Sequence, residues 1–154
     1  SAGEVFGHPV HFLAFGFGSG LAPKAPGTFG TLAAVPLYLL LAQLPFAMYL
    51  LATLVISVLG VWICDRSSKM LGVHDHGGIV WDEFAGLLIT LIALPAGIGW
   101  LILGFVLFRI FDILKPWPIG WLDARIPGGA GIMIDDIVAG LYGLIVIQLL
   151  ARFI

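Results

Sequence analysis

Charged residues are scarce in this sequence of 154 amino acids. They make up 10% of it, whereas soluble domains carry about 25%. Hydrophobic residues account for 60%, and the mean hydropathy is +1.11. This composition excludes an ordinary soluble domain and predicts an integral membrane protein.

Cysteine and net positive charge are also lacking. The single cysteine, Cys64, excludes an intramolecular disulfide and a metal site built on several thiolates. A net charge of −2 argues against a polybasic surface for nucleic acid. The chain begins Ser-Ala-Gly-Glu, without Met or a basic segment, so we expect no signal peptide at this end. No feature of the sequence identifies a protein partner.

The length limits the number of membrane spans. A transmembrane helix needs about 20 residues, so the chain has room for roughly four to six spans. No stretch remains for a separate soluble domain. We therefore treat residues 1–154 as one membrane-embedded domain.

Glycine, proline and polar residues divide the chain into helical segments. Aromatic residues mixed with Gly and Pro over residues 5–27 predict an interfacial helix followed by a loop. Thr28 can cap a helix that runs to about Leu44. Pro45 then separates it from a second apolar run, 46–64, and the two runs predict a hairpin.

The apolar stretch that follows the polar loop 65–78 is ambiguous. Residues 79–114 form either one overlong helix or two helices that break near LPAGIG, where both Pro and Gly occur. Each half, about 79–94 and 98–114, could span a thin or locally distorted bilayer. We favour the second hairpin.

A polar loop at 115–131 and a last helix from about 134 to 154 complete the prediction. The expected fold is an all-α membrane bundle of five transmembrane helices: two hairpins plus a C-terminal helix.

The second hairpin places six of the seven basic residues on one face of the membrane, which is cytoplasmic by the positive-inside rule. A single span would divide them about evenly. The six are Lys24, Arg66, Lys69, Arg109, Lys115 and Arg125, and Arg152 lies opposite.

Two pairs of adjacent carboxylates lie near the start of apolar segments: Asp82 and Glu83 in IVWDEFAG, and Asp135 and Asp136 in IMIDDIVAG. Adjacent helical residues point about 100° apart, so at least one acid of each pair must face the bundle. The Ala-Gly that follows each pair lets helices approach closely. Carboxylates brought together in this way need a cation between them, and oxygen ligands favour Mg²⁺, or else Mn²⁺ or Ca²⁺.

The topology decides whether the pairs can meet. One long span would separate them by about 30 Å, whereas the hairpin brings them together. The simpler interpretation makes these acids helix N-caps, favoured by the helix dipole. One cap per helix would suffice, however, and each helix has two acids.

The segment FRIFDILKPWP carries both signs of charge. Arg109 and Asp112 share a helix face, and Lys115 comes at the helix end before Pro116. A local ion pair and a snorkelling lysine would account for this pattern. Because the segment lies at the same depth as the acids, Asp112 could instead be a metal ligand or a base. Arg109 and Lys115 could then hold an anion.

Two further segments are weaker candidates. The glycine-rich stretch 16–30 has neither dinucleotide-binding nor Walker spacing, but its N–H groups at a helix start could bind phosphate. His74 and His76 flank Asp75, and they are either proton-transfer groups or simply solvated.

The combination of motifs resembles one known family. GFGSGLAPKAPGTFGTLAAVP, GVHDHGGIVWDEFAG, FRIFDILKPWPIGWLD and GGAGIMIDDIVAG occur in this order over about residues 12–145. They look like the bacterial phosphatidylglycerophosphatase A family. The resemblance implies a Mg²⁺-dependent phosphatase of the inner membrane, with its active site on the cytoplasmic side. It would convert phosphatidylglycerophosphate to phosphatidylglycerol in phospholipid biosynthesis.

The resemblance also implies roles for individual residues. The catalytic carboxylates would be Asp82, Glu83, Asp112, Asp135 and Asp136, and all of these except Asp112 would bind the metal. The phosphate would be held by Arg109 and Lys115, and also by Ser19, Lys24 and Thr28. His74 and His76 would assist.

A cation or phosphate transporter is the alternative function, because intramembrane acids and broken helices also mark transport paths. Against it, the acids lie near one face, and the far half of the segment, residues 87–94, has no ionisable residue to relay an ion. A CDP-alcohol phosphotransferase is set aside because its aspartate spacing is missing.

Overall fold

The computed structural model describes residues 2–73 and 76–154, and these residues form eight α-helices with no β-strand among them. A 3-10 turn, Ser19–Leu21, precedes α3. The expected all-helical class is confirmed. The helices are α1 (Ala2–Gly7), α2 (Pro9–Ala14), α3 (Pro26–Leu41), α4 (Phe46–Leu71), α5 (Trp81–Thr90), α6 (Ile98–Leu114), α7 (Ile119–Arg125) and α8 (Gly128–Phe153).

Two helices, α4 and α8, are long and apolar enough to cross a membrane, and α3 is a shorter apolar helix. Much of the outer surface of α4 is apolar, with large side chains such as Leu51, Leu54, Val58 and Trp62 exposed. An apolar exterior of this extent is what a helix in contact with lipid requires. The structure is therefore consistent with a membrane protein, and the number of five spans stays a prediction.

Helix α5 lies at the centre of the bundle. All ten of its residues are buried, and it packs against α3, α4, α6 and α8. Ten helical residues rise about 15 Å, which is half the thickness of the hydrocarbon layer. Helix α5 is therefore shorter than the predicted segment 79–94, because the chain leaves the helix at Leu91 and begins to turn, and its span of a thin bilayer stays a prediction.

The predicted break between the two halves is confirmed. Residues 91–97 reverse the chain, and Gly97, at φ +123°, adopts a conformation that glycine tolerates. From α8, the side-chain amide of Gln148 donates to the carbonyls of Ile92 (3.2 Å) and Ala93 (3.1 Å). These bonds satisfy turn carbonyls that would otherwise face an apolar environment. As a result, the end of α6 returns to the start of α5.

The contact between α5 and α8 depends on glycine, as the Ala-Gly pairs predict. A Cβ added at Gly140 would lie 2.5 Å from the carbonyl oxygen of Gly86, so the two backbones touch. A Cβ at Gly143 would lie 2.7 Å from the hydroxyl of Thr90. That hydroxyl donates to the Gly140 carbonyl at 3.0 Å. Small residues thus allow the two acid-bearing helices to pack in direct contact.

Two predicted helix boundaries are wrong, the end of α4 and the start of α3. Helix α4 continues past Cys64, because polar residues extend it beyond its apolar part: Lys69 pairs with Asp65 at 2.8 Å. The helix ends at Gly72, which has φ +71°. Helix α3 begins at Pro26, a favourable first helical residue, so Thr28 lies inside it.

The region 115–131, expected to be a loop, contains α7 and the first turn of α8. Helix α8 begins at Gly128, not near residue 134, because its glycines fit tightly against other backbone segments. A Cβ at Gly129 would clash with the Val61 carbonyl, and the N–H of Gly129 donates to Asp65 Oδ1 at 3.0 Å. An acidic side chain on α4 therefore caps the start of α8.

The N-terminal segment, expected to be one interfacial helix and a loop, contains two short helices that dock on the bundle. His11 on α2 hydrogen-bonds through Nδ1 to the hydroxyl of Ser67 at 2.7 Å. Burial lowers the pKa of His11, which favours its neutral form. The Val80 N–H donates to the Ala14 carbonyl at 2.7 Å. These contacts join the N-terminal segment to α4 and to Val80, the residue before α5.

Gly140→Ala should destabilise the fold because the rigid Gly86 carbonyl cannot yield to the new methyl group. We expect a loss of about 1–3 kcal/mol in the free energy of unfolding, the usual range for overpacking. Gly99→Ala is the matched control, since a Cβ there has nothing within 4 Å. Thermal unfolding in detergent, followed by tryptophan fluorescence, should show a lower Tm for Gly140→Ala alone. Equal Tm values for the two variants would contradict the close packing of α5 and α8.

Candidate active site

A polar cavity of about 240 Å³ lies where the start of α5, the end of α6 and the third turn of α8 meet. The sequence-predicted acids therefore come together at one end of an otherwise apolar bundle. Most of its lining is charged or polar. The lining residues are His76, Gly77, Ile79, Asp82, Glu83, Arg109, Asp112, Ile113, Lys115, Ile132, Asp135 and Asp136.

Three carboxylates form the centre of this site. Asp82 and Glu83 from α5 and Asp136 from α8 each offer one oxygen, and these oxygens lie within 4.8 Å of one another. The three residues are only 5%, 7% and 2% exposed. Asp136 Oδ2 is buried and has no hydrogen-bond partner among the residues that the structure describes. We call these three residues the carboxylate triad; they could hold a metal ion.

Arg109 lies beside the triad. Its Nη1 is 3.3 Å from Glu83 Oε2 and also pairs with Asp112, one turn further along α6. The Arg109 Nε is buried without a hydrogen-bond partner in the described part of the chain. A Cβ at Gly27, in the first turn of α3, would lie 3.0 Å from Nη2. The guanidinium is thus fixed between α3, α5 and α6.

Lys115 lies in a different part of the cavity. Its Nζ is 3.1 Å from Asp123 Oδ2 on α7 and 3.8 Å from Asp135 Oδ2 on α8. Asp135 is 3% exposed, but it does not join the carboxylate triad. The reason is the helix itself, which turns adjacent side chains about 100° apart. Asp136 therefore faces α5, while Asp135 faces Lys115.

The cavity has an excess of negative charge. Five carboxylates and two cationic side chains line it. If all are ionised, three negative charges remain uncompensated by the lining side chains. A bound divalent cation would offset most of this excess, and the donor set consists of the hard oxygens that such ions prefer.

The three remaining predicted phosphate-binding residues are not among those that line the cavity. The Ser19 hydroxyl donates to the Gly16 carbonyl at 2.8 Å, and Lys24 is exposed; neither lines the cavity. Thr28 follows Gly27 in the first turn of α3, close to Arg109. Their proposed roles stay predictions.

Of the two predicted histidines, one can be placed. His76 lines the cavity and accepts a hydrogen bond from the Gly78 N–H through Nδ1, at 2.9 Å. His74 lies outside the described residues.

Sequence reasoning missed two residues at this site. Asp123 was assigned to a loop, but α7 carries it back to Lys115. Asp123 follows Lys115 by eight residues, a spacing that does not predict a contact between the two side chains. The contact forms because the chain turns before α7. Gly27 was one glycine among several, and nothing in the sequence distinguishes it as the one that contacts Arg109.

Comparisons with known proteins identify the family of this chain. A sequence model of the phosphatidylglycerophosphatase A family matches residues 12–151. A phosphatidylglycerophosphatase A of Escherichia coli (strain K12) is 55% identical over 134 residues, which cover 86% of this chain and 78% of the relative. The protein of the same name from Haemophilus influenzae is 48% identical over 142 residues, or 91% of this chain and 87% of the relative.

A third relative, from Bacteroides thetaiotaomicron, is named provisionally as a phosphatidylinositol-3-phosphatase. It is 40% identical over 150 residues, which cover 90% of this chain and 91% of the relative. No solved structure gives a significant match to the chain. The family match covers nearly the whole chain and includes every residue of the carboxylate triad, which confirms the resemblance seen in the motifs. The chain therefore belongs to the phosphatidylglycerophosphatase A family.

Proposed function

We propose that this enzyme hydrolyses the terminal phosphate of phosphatidylglycerophosphate, giving phosphatidylglycerol and inorganic phosphate, and that it requires Mg²⁺. The proposal rests on the buried carboxylate triad beside Arg109. Its three oxygens lie close enough to one another to bind a single ion. Relatives that share 55% and 48% identity are named for this activity. A cavity at the charged end of an apolar bundle suits a substrate with a phosphate headgroup and apolar tails.

The residues divide into two groups by chemistry. Asp82, Glu83 and Asp136 would hold the metal, and the ion would neutralise charge on the phosphate as the ester bond breaks. The Arg109 guanidinium would bind phosphate oxygens through donors that its carboxylate partners do not use, including the buried Nε. Lys115 would add a second positive charge at the other side of the cavity.

The leaving glycerol oxygen needs a proton from a protonated carboxyl group or from water, and a water nucleophile must lose one. An oxygen nucleophile attacks phosphorus, the bond from phosphorus to the glycerol oxygen breaks, and that oxygen takes a proton. If water attacks, a carboxylate accepts its proton; if a carboxylate attacks, water later hydrolyses the phosphoenzyme. Asp112 and Asp135 line the cavity outside the carboxylate triad and lie next to Arg109 and Lys115, so they are placed for proton transfer.

We place this site on the cytoplasmic side of the bacterial inner membrane, in a bundle of five spans. Support comes from the basic residues: Lys69, Arg109, Lys115 and Arg125 all lie at the same end of the bundle as the cavity. Arg152 lies in the last turn of α8, at the opposite end. By the positive-inside rule the cavity end faces the cytoplasm.

The transporter alternative gains no support from the opposite end of the bundle. Two cavities lie there, of about 230 and 330 Å³, near Tyr38, Tyr49 and the turn 91–97. Neither has an acidic or basic side chain among its described lining residues. Neither cavity thus offers a charged group to an ion that would move between the carboxylate triad and that end.

Metal dependence can be tested with purified protein in detergent micelles that contain phosphatidylglycerophosphate. Wild-type protein should release inorganic phosphate with Mg²⁺ and lose activity in EDTA. Asp136→Asn should lower kcat/KM by roughly 100-fold or more, because a metal interaction worth several kcal/mol is lost. Asp65→Asn is the matched control: Asp65 lies outside the cavity lining, and an amide oxygen can still cap α8.

Two results would contradict this proposal. Full activity in EDTA would remove the metal requirement. Uptake of ions into liposomes without release of phosphate would favour a transporter.

Arg109→Lys should also impair the reaction. A single ammonium cannot keep the planar contacts with Glu83 and Asp112 and still present further donors to phosphate. We expect kcat/KM to fall about 10- to 100-fold, the range for loss of a hydrogen bond to a charged group. Arg125→Lys, on exposed α7, should leave kcat/KM within about twofold of wild type. Equal activity of the two variants would exclude a role for the Arg109 guanidinium.

A further inference from the structure

Asp123 connects the short helix α7 to the active-site cavity. Its Oδ2 accepts a hydrogen bond from Lys115 Nζ at 3.1 Å, and the same Nζ is 3.8 Å from Asp135 Oδ2. Asp123 itself does not line the cavity. We propose that Asp123 is a positioning residue, which holds the Lys115 ammonium at the cavity where it can bind substrate phosphate. The inference rests on the proposed function.

Helix α7, which carries Asp123, is packed firmly against the rest of the bundle. Ile119 at its start is fully buried, and the helix packs against α8, which carries Asp135. At Gly120 a Cβ would lie 3.2 Å from the Lys115 carbonyl, so α7 also touches the backbone at Lys115. Asp123 is therefore fixed relative to the backbone of Lys115 and to the helix that carries Asp135.

Lys115 needs such a support because of its own position. It follows the last residue of α6, with φ +49°, and its side chain is 32% exposed. A lysine side chain has several rotatable bonds and a compact charge without preferred direction. The deeply buried Asp135 attracts the ammonium inward, and Asp123 attracts it outward. Without Asp123, the ammonium would pair with Asp135 alone and would no longer be held in a fixed place to bind substrate phosphate.

The alternative is that Asp123 merely fastens α7 to the bundle. The two roles predict different behaviour when Lys115 is replaced. A positioning residue acts only through Lys115, so its effect on catalysis should vanish in a Lys115→Gln background. A residue that fastens α7 through contacts other than Lys115 should have the same effect in both backgrounds, and one that fastens α7 through Lys115 should lower the melting temperature together with kcat/KM.

A double-mutant cycle tests the proposal: wild type, Asp123→Asn, Lys115→Gln and the double variant, each assayed for phosphate release from phosphatidylglycerophosphate in mixed micelles with Mg²⁺. We expect Asp123→Asn to lower kcat/KM about tenfold, mainly through KM, because substrate binding is weakened. Asp123→Glu should recover most of the loss. In the Lys115→Gln background, Asp123→Asn should change kcat/KM less than twofold.

Arg125→Gln is the control for the integrity of α7. Arg125 contacts the carbonyl and the ring of Trp121, and it does not line the cavity, so this variant should keep its kcat/KM. The proposal is overturned if Asp123→Asn has the same effect in both backgrounds, if Asp123→Glu recovers nothing, or if Arg125→Gln loses as much. Melting temperatures of all variants should stay within a few degrees of wild type.

If the proposed function itself is wrong, the assay gives a result that differs from all of these. In that case wild-type protein would release no phosphate from phosphatidylglycerophosphate, whatever the state of Asp123. The same cycle on phosphatidic acid or a phosphatidylinositol phosphate, whichever the wild type hydrolyses, would then decide the role of Asp123.

Discussion

Mutual repulsion of buried carboxylates is the constraint on which this structure depends. Asp82, Glu83 and Asp136 bring their oxygens within 4.8 Å of one another inside an apolar bundle. Two negative charges at that separation repel by about 3–4 kcal/mol at an effective dielectric constant of about 20. Arg109 offsets part of this repulsion through Glu83. The remainder makes the site attractive to a divalent cation, and a phosphate that binds such a cation arrives where its own charge is neutralised.

The surrounding fold enforces this arrangement. Glycine contacts between α5 and α8 press the two acid-bearing helices together, and the turn after Leu91 brings Arg109 back to Glu83. Helix α5 is short and wholly buried, so its acids are shielded from lipid by four other helices. The same features that make the site costly to assemble also preorganise it, because Arg109 contacts both Glu83 and Asp112 and so fixes α5 and α6 relative to each other.

Much of this could be predicted from the sequence because charges inside apolar segments are rare enough to be conspicuous. For that reason the sequence already indicated Asp82, Glu83, Asp136 and Arg109 as site residues. Pro95 and the glycines near it indicated that the chain folds back.

The different orientations of Asp135 and Asp136 could not be predicted, since a sequence gives the angle between adjacent side chains but not the direction of either. Helix α7 was hidden because its seven residues are too few to show periodicity. The helical start of α8 was hidden because its glycines usually indicate a loop.

The central claim is that the carboxylate triad binds a divalent cation. Binding of Mn²⁺ to the purified protein in detergent, measured by electron paramagnetic resonance, tests it most directly because no substrate is needed. Wild-type protein should deplete the signal of free Mn²⁺, and added Mg²⁺ should restore it by competition. Glu83→Gln should weaken the binding at least about tenfold, the effect of removing one charged ligand. The account is contradicted if wild-type protein leaves the free Mn²⁺ signal unchanged, or if Glu83→Gln binds Mn²⁺ as tightly as wild type.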